Sequence, residues 1–204
     1  MRIYDNVAAA WEEIEDALGS LAKPALIIIA GPTCSGKSTL AGRMARLAPA
    51  ALVELDNYFR DQDDLQLPRD GSGKIIFDLP TSYLIEEYIG QIRALLAGKV
   101  IRMPRYDKSS NRRLMETQAV ASCPIIITEG LFSICLLNNV HPSCLRIYLD
   151  VNLDICLARR IERDSKTFKV SAEKVRNIFN QRVKPYIEEF VLPQKQLADL
   201  VIVG

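Results

Sequence analysis

The chain has 204 residues, 49% of them apolar, which is enough for one compact domain with a core of its own. Its 26 Lys and Arg nearly balance 25 Asp and Glu, so no global field draws it to nucleic acid or to an anionic membrane. No apolar run reaches the roughly 18 to 20 residues that cross a bilayer, and Met1–Lys23 lacks the basic start and apolar stretch of a secretory signal, which predicts a cytoplasmic protein.

In the opening segment, residues 1–23, Val7, Trp11, Ile14 and Leu18 recur at helical spacing and predict an amphipathic helix packed outside the first strand, with Trp11 as packing surface. The first strand, Ala25–Ala30, is Ile-rich and does not alternate, as expected of a strand buried on both faces.

It runs into Gly31-Pro32-Thr33-Cys34-Ser35-Gly36-Lys37-Ser38, which satisfies G-x-x-x-x-G-K-[ST] between a strand and a helix starting near Lys37. The glycines let the backbone curl until successive N–H groups face inward, and the helix start adds positive potential for anionic oxygens. A chance match in a chain of this length has odds on the order of one in a hundred. Gly31, Thr33, Cys34, Ser35, Gly36, Lys37, Ser38 and Thr39 are therefore the candidate ATP or GTP site. Lys37 is assigned to the β- and γ-phosphates and Ser38 to Mg²⁺.

The second strand, Ala51–Leu55, ends at Asp56, where a carboxylate can take the proton of an attacking hydroxyl or help order Mg²⁺. A helix follows on Leu84, Tyr88, Ile92 and Leu95, closed by Gly98. The charged stretch Arg60–Gly73 and the short strand and polar loop of Val100–Asn111 break the alternation. Residues from about 57 to 113 are thus read as an acceptor-binding insertion.

The third strand, Pro124–Thr128, ends in Glu129-Gly130, a position suited to a metal-bound water near the phosphates. His141, in the loop before Leu145–Val151, is read as structural, and Asp150 with Asn152 and Asp154 as helix capping. On the next helix Arg159, Arg160 and Arg163 fall within an arc of about 100° at 3.6 residues per turn, gathering charge for a developing anion. Residues from about 164 to 170, with Lys166 and Lys169, read as a small lid. The last strand is Asp199–Val203. The five cysteines, Cys34, Cys123, Cys135, Cys144 and Cys156, show no C-x-x-C pair and read as reduced thiols.

Strands alternating with helices predict one α/β domain of the P-loop NTPase type, a doubly wound parallel sheet of five strands with helices on both faces. The chemistry this predicts is transfer of a phosphoryl group from ATP to a small-molecule hydroxyl acceptor, with a homo-oligomer left open.

Beyond the P-loop, Leu55-Asp56-Asn57-Tyr58-Phe59, Phe77-Asp78-Leu79-Pro80, Pro104-Arg105-Tyr106-Asp107, Thr128-Glu129-Gly130, Arg159-Arg160-Ile161-Glu162-Arg163-Asp164 and Val183-Lys184-Pro185-Tyr186 follow one another in order. Together they resemble the uridine kinase branch of the P-loop kinases, which also holds phosphoribulokinase and bacterial pantothenate kinase. That resemblance implies Asp56 as general base, Asp78 and Arg160 on sugar hydroxyls, Tyr106 in the base pocket, Arg163 facing the phosphates and Glu129 supporting magnesium.

The chain departs from the family on the acceptor side. Lys108 and Asn111 stand where uridine kinases carry the aromatic and the histidine of Y-D-F-x-x-H, Leu79 replaces the histidine of F-D-H-P, and the lid lacks E-R-G-R. Uridine or cytidine is the favoured acceptor. A sugar, pantothenate or another hydroxyl metabolite, or an ATPase switch acting through a partner, are the alternatives.

Overall fold

A computed structural model describes residues 1–204. The chain opens with β1 (Arg2–Tyr4), α1 (Val7–Ser20), β2 (Ala25–Ala30), α2 (Lys37–Met44) and β3 (Ala50–Glu54). After α3 (Ile85–Leu96) come the short strands β4 (Ile101–Met103), β5 (Tyr106–Asp107), β6 (Arg112–Arg113) and β7 (Gln118–Val120). The remainder is β8 (Ile125–Glu129), α4 (Ser133–Leu137), β9 (Cys144–Asp150), α5 (Leu153–Thr167), α6 (Ala172–Ile178) and β10 (Leu200–Val203). Helix α6 continues through π-helical turns at Phe179–Val183 and Ile187–Val191 to a 3₁₀ stretch, Leu192–Leu197.

The central sheet has six strands in the order β1-β10-β9-β2-β8-β3, every neighbouring pair parallel. The expected five-stranded sheet is thereby corrected: Arg2–Tyr4 forms a sixth strand against β10, in register Ile3↔Val201. Three residues with Ile3 largely exposed carry no periodic signal, as is common for a short edge strand. The opening segment is accordingly strand then helix, with the helix beginning at Val7.

Alternate side chains of β2 enter two different cores. Leu26, Ile28 and Ala30 pack under α3, α4 and the helical run after Ala172, with Tyr88, Phe132, Phe179 and Ile187. Ile27 and Ile29 face α1, α2 and α5, with Ile14, Leu40, Met44 and Cys156. Because both faces are covered, β2 and β8 are buried at every residue, which is why their sequences do not alternate.

Outside the sheet, the stretch Val100–Asn111, read as a short strand and polar loop, pairs with the residues after it in two antiparallel ribbons, β4 with β7 and β5 with β6. The β5–β6 ribbon turns through Lys108–Asn111, with Asn111 at φ +54°, and projects beside the carboxyl end of β3. No helix is long and apolar enough to cross a membrane.

Candidate active site

The turn after β2 is shaped by its glycines. Gly31 has φ +149°, and a Cβ there would lie 2.6 Å from the Leu149 carbonyl oxygen, so no side chain fits. Gly36, at φ +103°, sits in the left-handed region as the residue just before α2. The curled turn folds Lys37 back on itself: its Nζ donates to the Pro32 carbonyl at 2.8 Å. Burial pushes the Lys37 ammonium down in pKa, while the Glu129 and Asp56 carboxylates pull it up. Beside it the Ser35 hydroxyl is buried with no hydrogen-bond partner. A buried orphan hydroxyl, a desolvated ammonium and a helix start converging on one hollow fit the oxygens of a polyphosphate.

The neighbouring strand β8 delivers Glu129, whose Oε1 accepts from the Ser38 hydroxyl at 2.6 Å. Burial raises the Glu129 pKa, with Lys37 and the Ser38 hydrogen bond opposing. One strand further out, the chain leaves β3 in a 3₁₀ turn, Leu55–Tyr58, so Asp56 lies in that turn. Its carboxylate accepts from Lys108 Nζ at 2.6 Å.

On α5, Asp164 accepts from Arg163 Nε at 2.8 Å and from Arg160 Nε at 3.4 Å, fixing both arginines toward the same hollow. Arg159 instead reaches the Cys34 carbonyl at 3.4 Å. Burial raises the Asp78 pKa against the pull of Arg160. An aromatic group walls this end: Phe59 stacks on Tyr83 with centroids 4.1 Å apart and contacts Phe77 and Tyr106 at 5.5 and 5.2 Å. The Tyr106 hydroxyl is buried without a partner.

The hydroxyl, charged and aromatic side chains just described line one cavity of about 1260 Å³. That exceeds the roughly 300–1,000 Å³ typical of a pocket for one small ligand, so it has room for a phosphoryl donor and an acceptor together. Thr33, Cys34, Ser35, Gly36, Lys37, Ser38 and Thr39 line it, as do Asp56, Asp78, Tyr106, Glu129, Arg160 and Arg163. Gly31 does not; it packs behind, against Leu149.

Of the expected lid, Asp164, Thr167 and Phe168 face the cavity, whereas Lys166 pairs with Glu162 at 2.6 Å in the last turns of α5. His141 accepts from the Ser143 amide through Nδ1. Asp150 is not the cap expected: Asn152 caps α5 through the Asp154 amide, and Asp150 pairs with Lys195 at 2.5 Å.

Several lining residues escaped the reading of the sequence. Phe59, Phe77 and Asp164 sit inside motifs already recognised and could have been read from them. Arg182 carried no local signal; it reaches the cavity because the π-helical run brings it to the Ile75 carbonyl at 2.8 Å and to Asp70.

Mg²⁺ takes octahedral oxygen ligands and keeps several waters, so it needs few groups from the protein. The Ser38 hydroxyl and the Glu129 carboxylate, adjacent at the edge of the cradle, fit that demand.

A family model described as the phosphoribulokinase/uridine kinase family matches residues 26–203. A uridine kinase of Lactobacillus helveticus is 32% identical over 189 residues, spanning 91% of this chain and 89% of the relative. Uridine-cytidine kinase A of Dictyostelium discoideum is 26% identical over 98% of this chain, which spans 40% of that longer protein. Among solved structures, one from Silicibacter sp. TM1040, provisionally described as a fructose transport system kinase, superposes with a TM-score of 0.73 at 22% identity over 96% of this chain and 98% of its own. Another from Bacillus stearothermophilus, provisionally described as a uridine kinase, gives 0.61 at 17% identity over 94% and 96%. At those identities the two structures speak for the fold.

Proposed function

Because this chain belongs to the phosphoribulokinase/uridine kinase family and is an ATP-dependent phosphotransferase with an alcohol group as acceptor, we propose that its acceptor is the ribose 5′-hydroxyl of uridine or cytidine. One observation carries the site assignment: the buried Lys37 of the phosphate cradle and the Asp56 carboxylate line the same cavity, so a bound polyphosphate and a hydroxyl acceptor can meet between them.

Asp56 takes the proton from the acceptor hydroxyl as its oxygen forms the new bond to the γ-phosphorus, while the bond from that phosphorus to the β-bridging oxygen breaks and ADP leaves. Lys37, the amides of Gly31–Thr39 and Arg163 hold the charge that spreads over the phosphoryl oxygens. Asp78 and Arg160 hold the sugar hydroxyls, and Tyr106 lines the base pocket. Ser38 and Glu129 are the residues that would hold Mg²⁺, which when bound would offset the negative charge of the phosphates. Residues 164–170 serve as a lid that keeps water out, residues 57–113 wall the acceptor, and the enzyme works in the cytoplasm.

A second reading has one observation of its own. Lys108 and Asn111, which replace the aromatic and histidine of the uridine kinase pattern, face the cavity, and a lysine there suits an acceptor carrying negative charge. ADP production measured across uridine, cytidine, purine nucleosides, sugars and pantothenate, with Lys37→Ala as the blank, separates the two. Turnover dependent on uridine or cytidine is expected. Turnover with another hydroxyl metabolite alone would replace the pyrimidine nucleoside, and substantial turnover with no acceptor would favour an ATPase switch.

A further inference from the structure

The six parallel strands end along one edge of the sheet, in the spatial order β1, β10, β9, β2, β8, β3. The phosphate cradle follows β2. On one side of it stand Glu129 at the end of β8 and Asp56 after β3, which form the acceptor end. On the other side stand Val151 after β9, Gly204 after β10 and Asn6 after β1, and all three line the same cavity. A linear polyphosphate whose terminal phosphorus points at Asp56 must direct its nucleoside end toward β1.

We infer that the β1–α1 segment closes the pocket for the purine base of the phosphoryl donor, with Asn6 and Arg43 as the groups that read the edge of the ring. This deepens the kinase reading and rests on it. Residues 2–20 precede the segment matched by the family model, 26–203, so this wall lies outside the part of the chain that the family model matches.

The chemistry of this end suits a flat heteroaromatic ring. Val7, Leu40 and Ile202 offer apolar surface to its faces. Arg43, in the last turn of α2, has its guanidinium carbon 3.6 Å from the centroid of the Trp11 ring, and Trp11 is itself tied by Nε1 to Glu15 at 2.7 Å. The cation is therefore held by α1 at the mouth of the pocket. Asn6 uses Oδ1 to cap α1 through the Ala9 amide at 2.9 Å, leaving its NH₂ group free to donate. Two donors beside an apolar slot match N1, N3 and N7 of adenine, which are acceptors. Trp11 is a positioning residue, acting through Arg43.

Calorimetry with magnesium ATP and with magnesium tripolyphosphate, which has the phosphates and no base, tests this on the full chain. Wild type should bind ATP more tightly than tripolyphosphate. Arg43→Ala should weaken ATP by roughly tenfold, the scale of one charge-assisted hydrogen bond, and leave tripolyphosphate within about twofold. Asn6→Ser keeps an oxygen cap for α1 while removing the NH₂ group, so it should weaken ATP several-fold with folding intact. Trp11→Leu should follow Arg43→Ala in direction. Equal weakening of both ligands, or ATP binding unchanged in both Arg43→Ala and Asn6→Ser, overturns the base pocket while the kinase reading stands. A wild type that binds neither ligand overturns both.

Discussion

The Lys108 ammonium donates to the Asp56 carboxylate at 2.6 Å, joining residues 52 positions apart and laying the β5–β6 turn across the acceptor end of the cavity. With side chains 54% and 37% exposed, such a pair is worth no more than about 0–1 kcal/mol. On the proposed role of Asp56, an incoming acceptor would displace Lys108 at little cost and take its place there.

Asp56→Asn should lower turnover by roughly 10²- to 10⁴-fold, the usual worth of an acid–base group, with ATP affinity nearly unchanged. Steady-state rates together with ATP titrations read this out. A variant close to the normal rate would remove Asp56 from the role of base.

Replacing Lys108 by Phe together with Asn111 by His should lower the KM for uridine by about tenfold or more, because stacking an aromatic on a base is worth about 1–3 kcal/mol. The measurement is KM for uridine in the double variant and in wild type. An unchanged uridine KM, with loss of an anionic acceptor's turnover, would instead support the second reading.

Asp164→Ala should cost about 1–3 kcal/mol. That is less than the loss of one member of a fully buried ion pair, since Arg163 is 46% exposed while Asp164 is only 12% exposed. Turnover should drop at least tenfold as Arg160 and Arg163 lose their common anchor, whereas Asp164→Asn, which still accepts hydrogen bonds, should keep most of both. Urea unfolding and kcat measured side by side check the pair; full activity in Asp164→Ala would show that the arginines need no anchor.

The Glu129 carboxyl, raised chiefly by burial, keeps its proton to higher pH in the folded protein than in the unfolded chain, which releases it near the ordinary value of 4.5. Between those two values the folded state binds more protons, so this group's contribution to stability falls as pH rises above 4.5. The stability of Glu129→Gln relative to ligand-free wild type should accordingly increase with pH through that window. Denaturant midpoints at several pH values decide it, and a difference that stays constant would contradict the raised value.

Much of the site could be read from residues adjacent in the chain. The cradle from Gly31 to Thr39 was legible because curling a backbone around phosphate demands particular residue types within a few positions. Asp56 and Glu129 were legible because each follows an apolar run, and the polar residue at a strand's end faces the ligand edge of a parallel sheet. Arg182 and Asn6 were not, since nothing near them in the sequence distinguishes them from solvated surface. The same holds for β1, whose pairing partner, β10, lies at the far end of the chain.

By itself the sequence determined five of the six strands of the central sheet, helices α1, α2, α3 and α5 and the phosphate cradle, because apolar periodicity and backbone geometry act over a few residues; the helical run from Ala172 to Leu197 was not read from it. Only the tertiary structure decided that Ser38 meets Glu129 across 91 positions, that Lys108 occupies Asp56, and that α1 holds Arg43 over Trp11 beside the cavity. Those meetings are set by the order of strands in the sheet and the packing of helices on its faces, and such long-range choices leave no mark in the local pattern of residues.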